Sequence, residues 1–373
     1  MTKKTLEEVV QEKESYDDVK RNYHLEFQRS EGIPVYKGSH FNDLRALEVK
    51  PWPRMGGFGA YVNLFGEETM GDNYVCEIPP GQSLKPQQHL FEELVYVLAG
   101  RGATTYWTRK GGPKMTFEWK EQSFFALPAN IGYQHFNGDE TKPARFFSKT
   151  TLPALFQCFK NEKFIFENDF VLEDVDKDFF SGEAKIYKWK PPDYKIIWTA
   201  NFIPDVRTFD QMTYYESRGA AGTSVRLHLS GLVRLYAHMS EFPVGTYKKG
   251  HAHPPGRSII LVTGKGYSLL WQPGKEKEKR KIDWQPGSLF GVGLTDLQGE
   301  CWYHQHFNTG AEPARYLVLH VNAAALEDKH VQTEYVDEDT DVRKLFESEL
   351  AKSGVKSKMP PECYVDPAFK WKK

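Results

Sequence analysis

The chain has 373 residues, enough for two domains that each bury a core, and its 49 Lys+Arg against 50 Asp+Glu leave a formal charge of −1. That balance lacks the basic surplus of a phosphate-backbone binder and argues against nucleic acid as a partner. The charged opening MTKKTLEEVVQEKE has no apolar signal core, no run approaches the ~18 apolar residues of a membrane span, and Cys76, Cys158, Cys301 and Cys363 form no CxxC pair, so a soluble, reduced, cytoplasmic protein is expected.

In chain order, helical periodicity over residues 4–28 predicts a helical N-terminal extension within 1–50. Short apolar or alternating runs follow (ELVYVLAG, ATTYWT, FFALP, RFFSKTTL), broken by Gly, Pro and charged turns, and predict β-strands through about 51–175. The middle of the chain, with WKPPDYKIIW and SRGAAG, reads as a linker plus leading strands, with a boundary near 170–190. A second set of strands (SIILVTG, YSLLW, ARYLVLHV) fills 176–325, and Asp341 to Lys352 reads as an amphipathic helix in a C-terminal extension, 326–373. Helical signals are confined to the two ends.

The two strand-rich stretches are copies of one another. Ile78 to Gly102 aligns with Phe242 to Gly266 at a constant offset of 164, matching Gly81 to Gly245, His89 to His253 and Gly100 to Gly264. Further on, TFEWKEQSFFALP matches KIDWQPGSLFGVG, YQHFN (Tyr133 to Asn137) matches HQHFN (His304 to Asn308), and KPARF matches EPARY. One supersecondary unit occurs twice, and many short strands at close spacing point to an all-β fold of two tandem barrels. Arg145 and Arg315 hold equivalent places, which argues for a shared structural role.

These motifs resemble the cupin signature G-x5-HxH-x3-E-x6-G with a distal histidine on a later strand. The first copy supplies Gly81, Gln87, His89, Glu93, Gly100 and the distal His135; the second supplies Gly245, His251, His253, Gly264 and the distal His306. The resemblance spans about residues 50–325 and implies a bicupin: two double-stranded β-helix (jelly-roll) barrels, as in gentisate-type dioxygenases, oxalate decarboxylases and storage globulins. Alternation along a strand gives the spacing a physical basis, because residues i and i+2 point the same way and aim His251 and His253 into one barrel interior.

The expected metal ligands are therefore His251, His253 and His306 in the second barrel. In the first barrel a mixed set of Gln87, His89, Glu93 and His135 either binds metal or is a decayed site whose polar groups bond one another. In the second barrel the signature's glutamate position is Arg257, which either pairs with a substrate carboxylate or sits in a solvated turn. His304, two residues before His306 and so on the same face, reads as an acid/base group or a polar partner of the ligands, ahead of a fourth ligand.

Three neutral histidines suit Fe(II), with Mn, Ni or Zn as further fits, and leave positions open for substrate or dioxygen. The leading expectation is a non-heme Fe(II) dioxygenase cleaving a C–C bond in an anionic aromatic or dicarbonyl substrate. The alternatives are a Mn-dependent decarboxylase, hydrolase or isomerase working from the first barrel, and a non-catalytic binding or storage protein. A homo-oligomer is expected, because the resemblance implies barrels that associate.

Overall fold

The computed structural model describes residues 21–108, 111–170, 178–188, 196–229, 231–232, 234–295, 299–321 and 331–371. Strands dominate, and they form two barrels of two sheets each. In the first, a sheet containing Gly57–Leu64, Asp72–Ile78, Ala144–Thr150, Glu93–Ala99 and Phe124–Leu127 closes over a three-stranded sheet of Gly132–Asn137, Arg101–Trp107 and Met115–Lys120. In the second, a sheet containing Thr223–Leu227, Leu235–Phe242, Ala314–Val321, Arg257–Thr263 and Leu289–Gly291 closes over Arg280–Trp284, Gly266–Trp271, Tyr303–Asn308, His251–Ala252 and Val331–Gln332.

The large sheets pack against each other as well as against their own small sheets. Leu94, Tyr96, Phe124 and Phe147 of the first barrel share one apolar cluster with Leu227, Met239, Ile260, Leu317 and Leu319 of the second. A sheet covered on both faces has no polar side to show, so Ala314–Val321 is buried at all eight positions. The small sheet of the first barrel behaves differently: its central strand Arg101–Trp107 alternates, with Gly102, Thr104 and Tyr106 turned inward.

Each barrel also borrows an edge. Phe202–Ile203, from the segment leading into the second barrel, pairs with Phe124–Leu127 of the first. His40–Phe41, from the N-terminal extension, pairs with Leu289–Gly291 of the second. Buried polar links reinforce the join: Lys149 donates to Glu67 at 2.7 Å and to Ser258 at 2.6 Å, and Glu92 accepts from the backbone N–H groups of Arg234 and Leu235.

Of the N-terminal helix expected over 4–28, residues 1–20 lie outside the described residues; the helix seen is Tyr23–Ser30, capped by the Asn22 side chain on Leu25 N. The boundary region near 170–190 falls partly on residues outside those described. The C-terminal helix runs Thr340–Lys352 and lays Val342, Phe346 and Leu350 on Tyr247, Tyr267 and Phe307 of the second barrel. Helix is not confined to the ends, however: Leu152–Phe159 and Glu162–Phe166 follow the last strand of the first barrel. Their sequence, LPALFQCF, is apolar without strand alternation, and Pro153 sits in the first turn where a missing N–H costs nothing. No helix among the described residues is long and apolar enough to cross a membrane.

Candidate metal centre

His251 belongs to a two-residue strand and sits directly opposite His304 of Tyr303–Asn308. His253 lies two residues on and turns to the same interior. The potential ligand atoms of His251, His253 and His304 all fall within 4.8 Å of one another, and all three side chains are buried. The rings of His251 and His253 stand 4.2 and 4.5 Å from that of His304.

The hydrogen bonds of this trio define which nitrogens carry lone pairs. His251 Nδ1 lies 3.1 Å from the Lys249 carbonyl and His253 Nδ1 lies 3.0 Å from the Pro254 carbonyl. A carbonyl only accepts, so each Nδ1 carries the hydrogen and each Nε2 faces the interior as a donor atom for a metal. His304 Nδ1 is buried with no hydrogen-bond partner. Burial, and then the positive charges of Arg218 and of neighbouring imidazoles, push the His251 and His304 pKa values well below the ordinary range. Neutral imidazoles crowded together with an orphaned nitrogen are the donor set that a divalent transition metal fits.

The trio lines a cavity of about 70 Å³ in the second barrel. Arg218, Arg226, Arg257 and Lys248 also face it, together with Tyr215, Tyr236 and Tyr316, and among the described residues no carboxylate does. Arg257 is a buried strand residue and not part of a solvated turn. It pairs in register with His320, whose Nε2 lies 2.7 Å from His238 Nδ1.

The distal histidine expected as third ligand, His306, lines the same cavity, its ring 6.2 Å from that of His251 and 5.3 Å from that of His304, while the closest trio is completed by His304. His306 Nδ1 instead meets Ser268 Oγ at 2.8 Å, and Trp284 Nε1 donates to the same oxygen at 3.0 Å. The first barrel repeats the device: His135 Nδ1 meets Thr104 Oγ1 at 2.6 Å, and Trp119 Nε1 donates to that oxygen at 2.9 Å. The hydroxyl oxygen keeps a second lone pair beside the one that takes the indole hydrogen, so Nδ1 can donate to it and leave Nε2 with a lone pair, and His135 Nε2 is buried with no hydrogen-bond partner. The neighbouring glutamines are likewise paired structural groups, Gln134 donating to Leu84 O and Gln305 to Lys248 O, each at 2.9 Å. Arg145 and Arg315 match too, each bonding three backbone carbonyls and one glutamate, Glu77 or Glu241.

In the first barrel Gln87 bridges Tyr133 in the register that pairs His251 with His304. The Tyr133 phenol therefore stands where the second barrel has a histidine. It donates to Glu93 Oε2 at 3.0 Å and meets His89 Nε2 at 2.9 Å. Tyr74 donates to the other Glu93 oxygen. His89 Nδ1 faces the Phe91 carbonyl at 2.9 Å, so both of its ring nitrogens have partners within the protein. Gln87 is turned away, accepting from Arg54 and donating to the Lys85 carbonyl. Burial acts to raise the Glu93 pKa, but the hydrogen bond and charge of His89, with Tyr74, hold it down to about 2. Of the expected first-barrel set, the structure pairs His89 with Glu93 at 3.3 Å, while Gln87 bonds Arg54 and Lys85 and His135 bonds Thr104. The signal that separates the barrels is Tyr133 against His304 within the YQHFN and HQHFN repeat.

No known protein family and no curated protein matches this sequence. Solved structures share its fold. The oxalate decarboxylase formate complex of Lactobacillus farciminis aligns with a TM-score of 0.50 over 82% of this chain and 92% of its own, at 14% identity. An oxalate decarboxylase described for its substrate binding mode and reaction-specificity switch also gives 0.50, covering 86% of this chain and 87% of its own at 14% identity. A point variant of the Bacillus subtilis oxalate decarboxylase gives 0.50 over 86% and 87% at 13% identity. The likeness is one of fold, and it bears out the resemblance read from the motifs: the chain is built as a bicupin, two cupin barrels in tandem.

Proposed function

We propose that this protein is a metal-dependent bicupin enzyme working from its second barrel on a small anionic carboxylate, by redox-neutral C–C cleavage of the decarboxylating kind with Mn. The observation that carries this reading is the cavity lining: three neutral histidines and a group of cationic side chains, with no carboxylate among the described residues that line it. His251, His253 and His304 would hold the ion, which when bound supplies Lewis-acid polarisation of a carboxylate or carbonyl oxygen. Arg257, Arg218 and Arg226 attract the anion and orient it, a planar guanidinium matching a carboxylate with two hydrogen bonds. Burial excludes water, which strengthens each of these contacts. The first barrel supplies no ion site in this reading, because Tyr133 joins the would-be ligands to each other.

Size favours a small substrate. A benzene molecule occupies an engineered cavity of roughly 150 Å³, about twice the room here. Ring-cleaving Fe(II) chemistry on an aromatic hydroxy acid therefore fits this cavity less well than turnover of a compound of a few heavy atoms. Oxalate, named in the structural neighbours, has the right size and charge and heads the compounds to test. The proposal includes a cytoplasmic setting and a homo-oligomer; Cys76, Cys158, Cys301 and Cys363 are free thiols.

The test is metal content by mass spectrometry on protein purified without added metal, alongside assays for carbon dioxide release and oxygen uptake on small carboxylates. Wild type should carry about one divalent ion per chain. His304→Ala should lose it, whereas His306→Ala and His89→Ala should keep it wherever they fold. Metal that follows His89 would move the centre to the first barrel, and oxygen consumed in step with substrate would restore the dioxygenase reading.

A further inference from the structure

The two barrels act as controls for one another at three positions. Leu84 and Lys248 each donate a backbone N–H at 3.0 Å to the carbonyl of the distal histidine, His135 in one barrel and His306 in the other. Phe146 stands opposite Cys76 in the register that sets Tyr316 opposite Ser240. In the first barrel this trio is Leu84, Cys76 and Phe146; in the second it is Lys248, Ser240 and Tyr316, and all six side chains are buried. The first barrel shows that packing needs no polar atom at any of these places. The second has one at all three, and they touch: Lys248 Nζ hydrogen-bonds Ser240 Oγ and, at 2.9 Å, Tyr316 Oη.

An ammonium ion here has little to hold it. No carboxylate pairs with Lys248 among the described residues, and the cavity that it lines contains three arginines and no acid. Its other neighbours are the Phe242 and Tyr316 rings, at 5.2 and 4.9 Å. Burial, and then the charge of Arg218, push the Lys248 pKa down to about 7. A buried amine next to another cation is the setting in which lysine becomes a nucleophile at neutral pH.

We propose that Lys248 is a nucleophilic amine that captures the carbonyl group of a small oxo acid as a Schiff base. Nζ forms a bond to the carbonyl carbon, and the carbonyl oxygen leaves as water with the two amine hydrogens. Tyr316, already bonded to Nζ, passes a proton from nitrogen to the departing oxygen. The arginines of the cavity take the carboxylate of the oxo acid. This activity goes beyond the metal-centred reading and does not depend on it.

The experiment treats the full chain at pH 7 with glyoxylate and cyanoborohydride, with and without prior chelation, and locates the carboxymethyl adducts by peptide mass spectrometry. An exposed lysine of ordinary pKa is almost entirely ammonium at pH 7, so Lys248 should label about ten-fold or more faster than surface lysines. Chelation should leave that labelling intact, which separates this proposal from the fate of the metal site. Lys248→Leu copies the first barrel and should abolish the fast adduct; Tyr316→Phe should slow it. Adducts spread over exposed lysines with Lys248 unmodified in wild type would overturn the proposal, as would the same fast adduct in Lys248→Leu.

Discussion

Removing the Tyr133 hydroxyl takes one hydrogen bond from His89 Nε2 and one from Glu93 Oε2, which remain 3.3 Å apart as a direct pair. A hydrogen bond to a charged group contributes about 1.5–3 kcal/mol, so Tyr133→Phe should lower the urea-unfolding free energy by that amount; an unchanged midpoint would show that the network is not holding the barrel. Several buried groups also set the response to acid, and His251, His304 and His306 act in the same direction as His135. Burial lowers the His135 pKa from 6.5 to about 4, so the unfolded chain takes up a proton that the native state refuses, and stability falls as pH drops through that window. The Glu93 carboxylate, held down at about 2 against an ordinary 4.5, adds stability above 4.5 that is lost only on further acidification. The urea midpoint of metal-stripped protein should therefore already fall between pH 7 and pH 5, and a midpoint flat over that range would contradict the assignment. At this scale the sequence was half legible. The i, i+2 spacing of His251 and His253 identified two of the grouped histidines. His135 and His306 recur, and each meets a Trp-bonded hydroxyl at Nδ1; the position where the copies differ is Tyr133 against His304.

Elements were legible where one face met water. The helix Thr340–Lys352 shows its i, i+4, i+8 stripe because its other side is solvated, and the stripe is what covers the second barrel's small sheet. Strands between the two large sheets lose alternation, and the helices at Leu152–Phe159 and Glu162–Phe166 were missed because apolar runs of that length carry no period to read. The short strand that bears His251 depends on such cover. It is held on one side by Tyr303–Asn308 and on the other by Val331–Gln332, just ahead of the C-terminal helix. Phe346, fully buried against Tyr247 and Phe307, anchors that helix. Phe346→Ala should cost about 3–5 kcal/mol in thermal or urea unfolding, and metal affinity should weaken with it; a variant of native stability would mean the helix is not part of the second barrel's fold.

For the whole molecule, the repeat was plain in the spacing of glycines and histidines, whereas the exchange of edges was not. Phe202–Ile203 and His40–Phe41 are too short to carry a pattern, and their pairing partners lie far away along the chain. With edges exchanged, the apolar cluster shared and Lys149 bonded to Ser258 across the join, the barrels should unfold together. A single transition with coincident fluorescence and circular dichroism midpoints is expected; two resolved transitions would show that the halves are independent.

The borrowed edges also bear on descent. Duplicated barrels can ordinarily be lost or shuffled as cassettes once one of them stops doing chemistry. Here, deleting the second copy with its leading segment strips a strand from the first, and deleting the first with its N-terminal extension strips one from the second. The pair can specialise, one half becoming scaffold and the other keeping the reaction, but it has lost the freedom to separate.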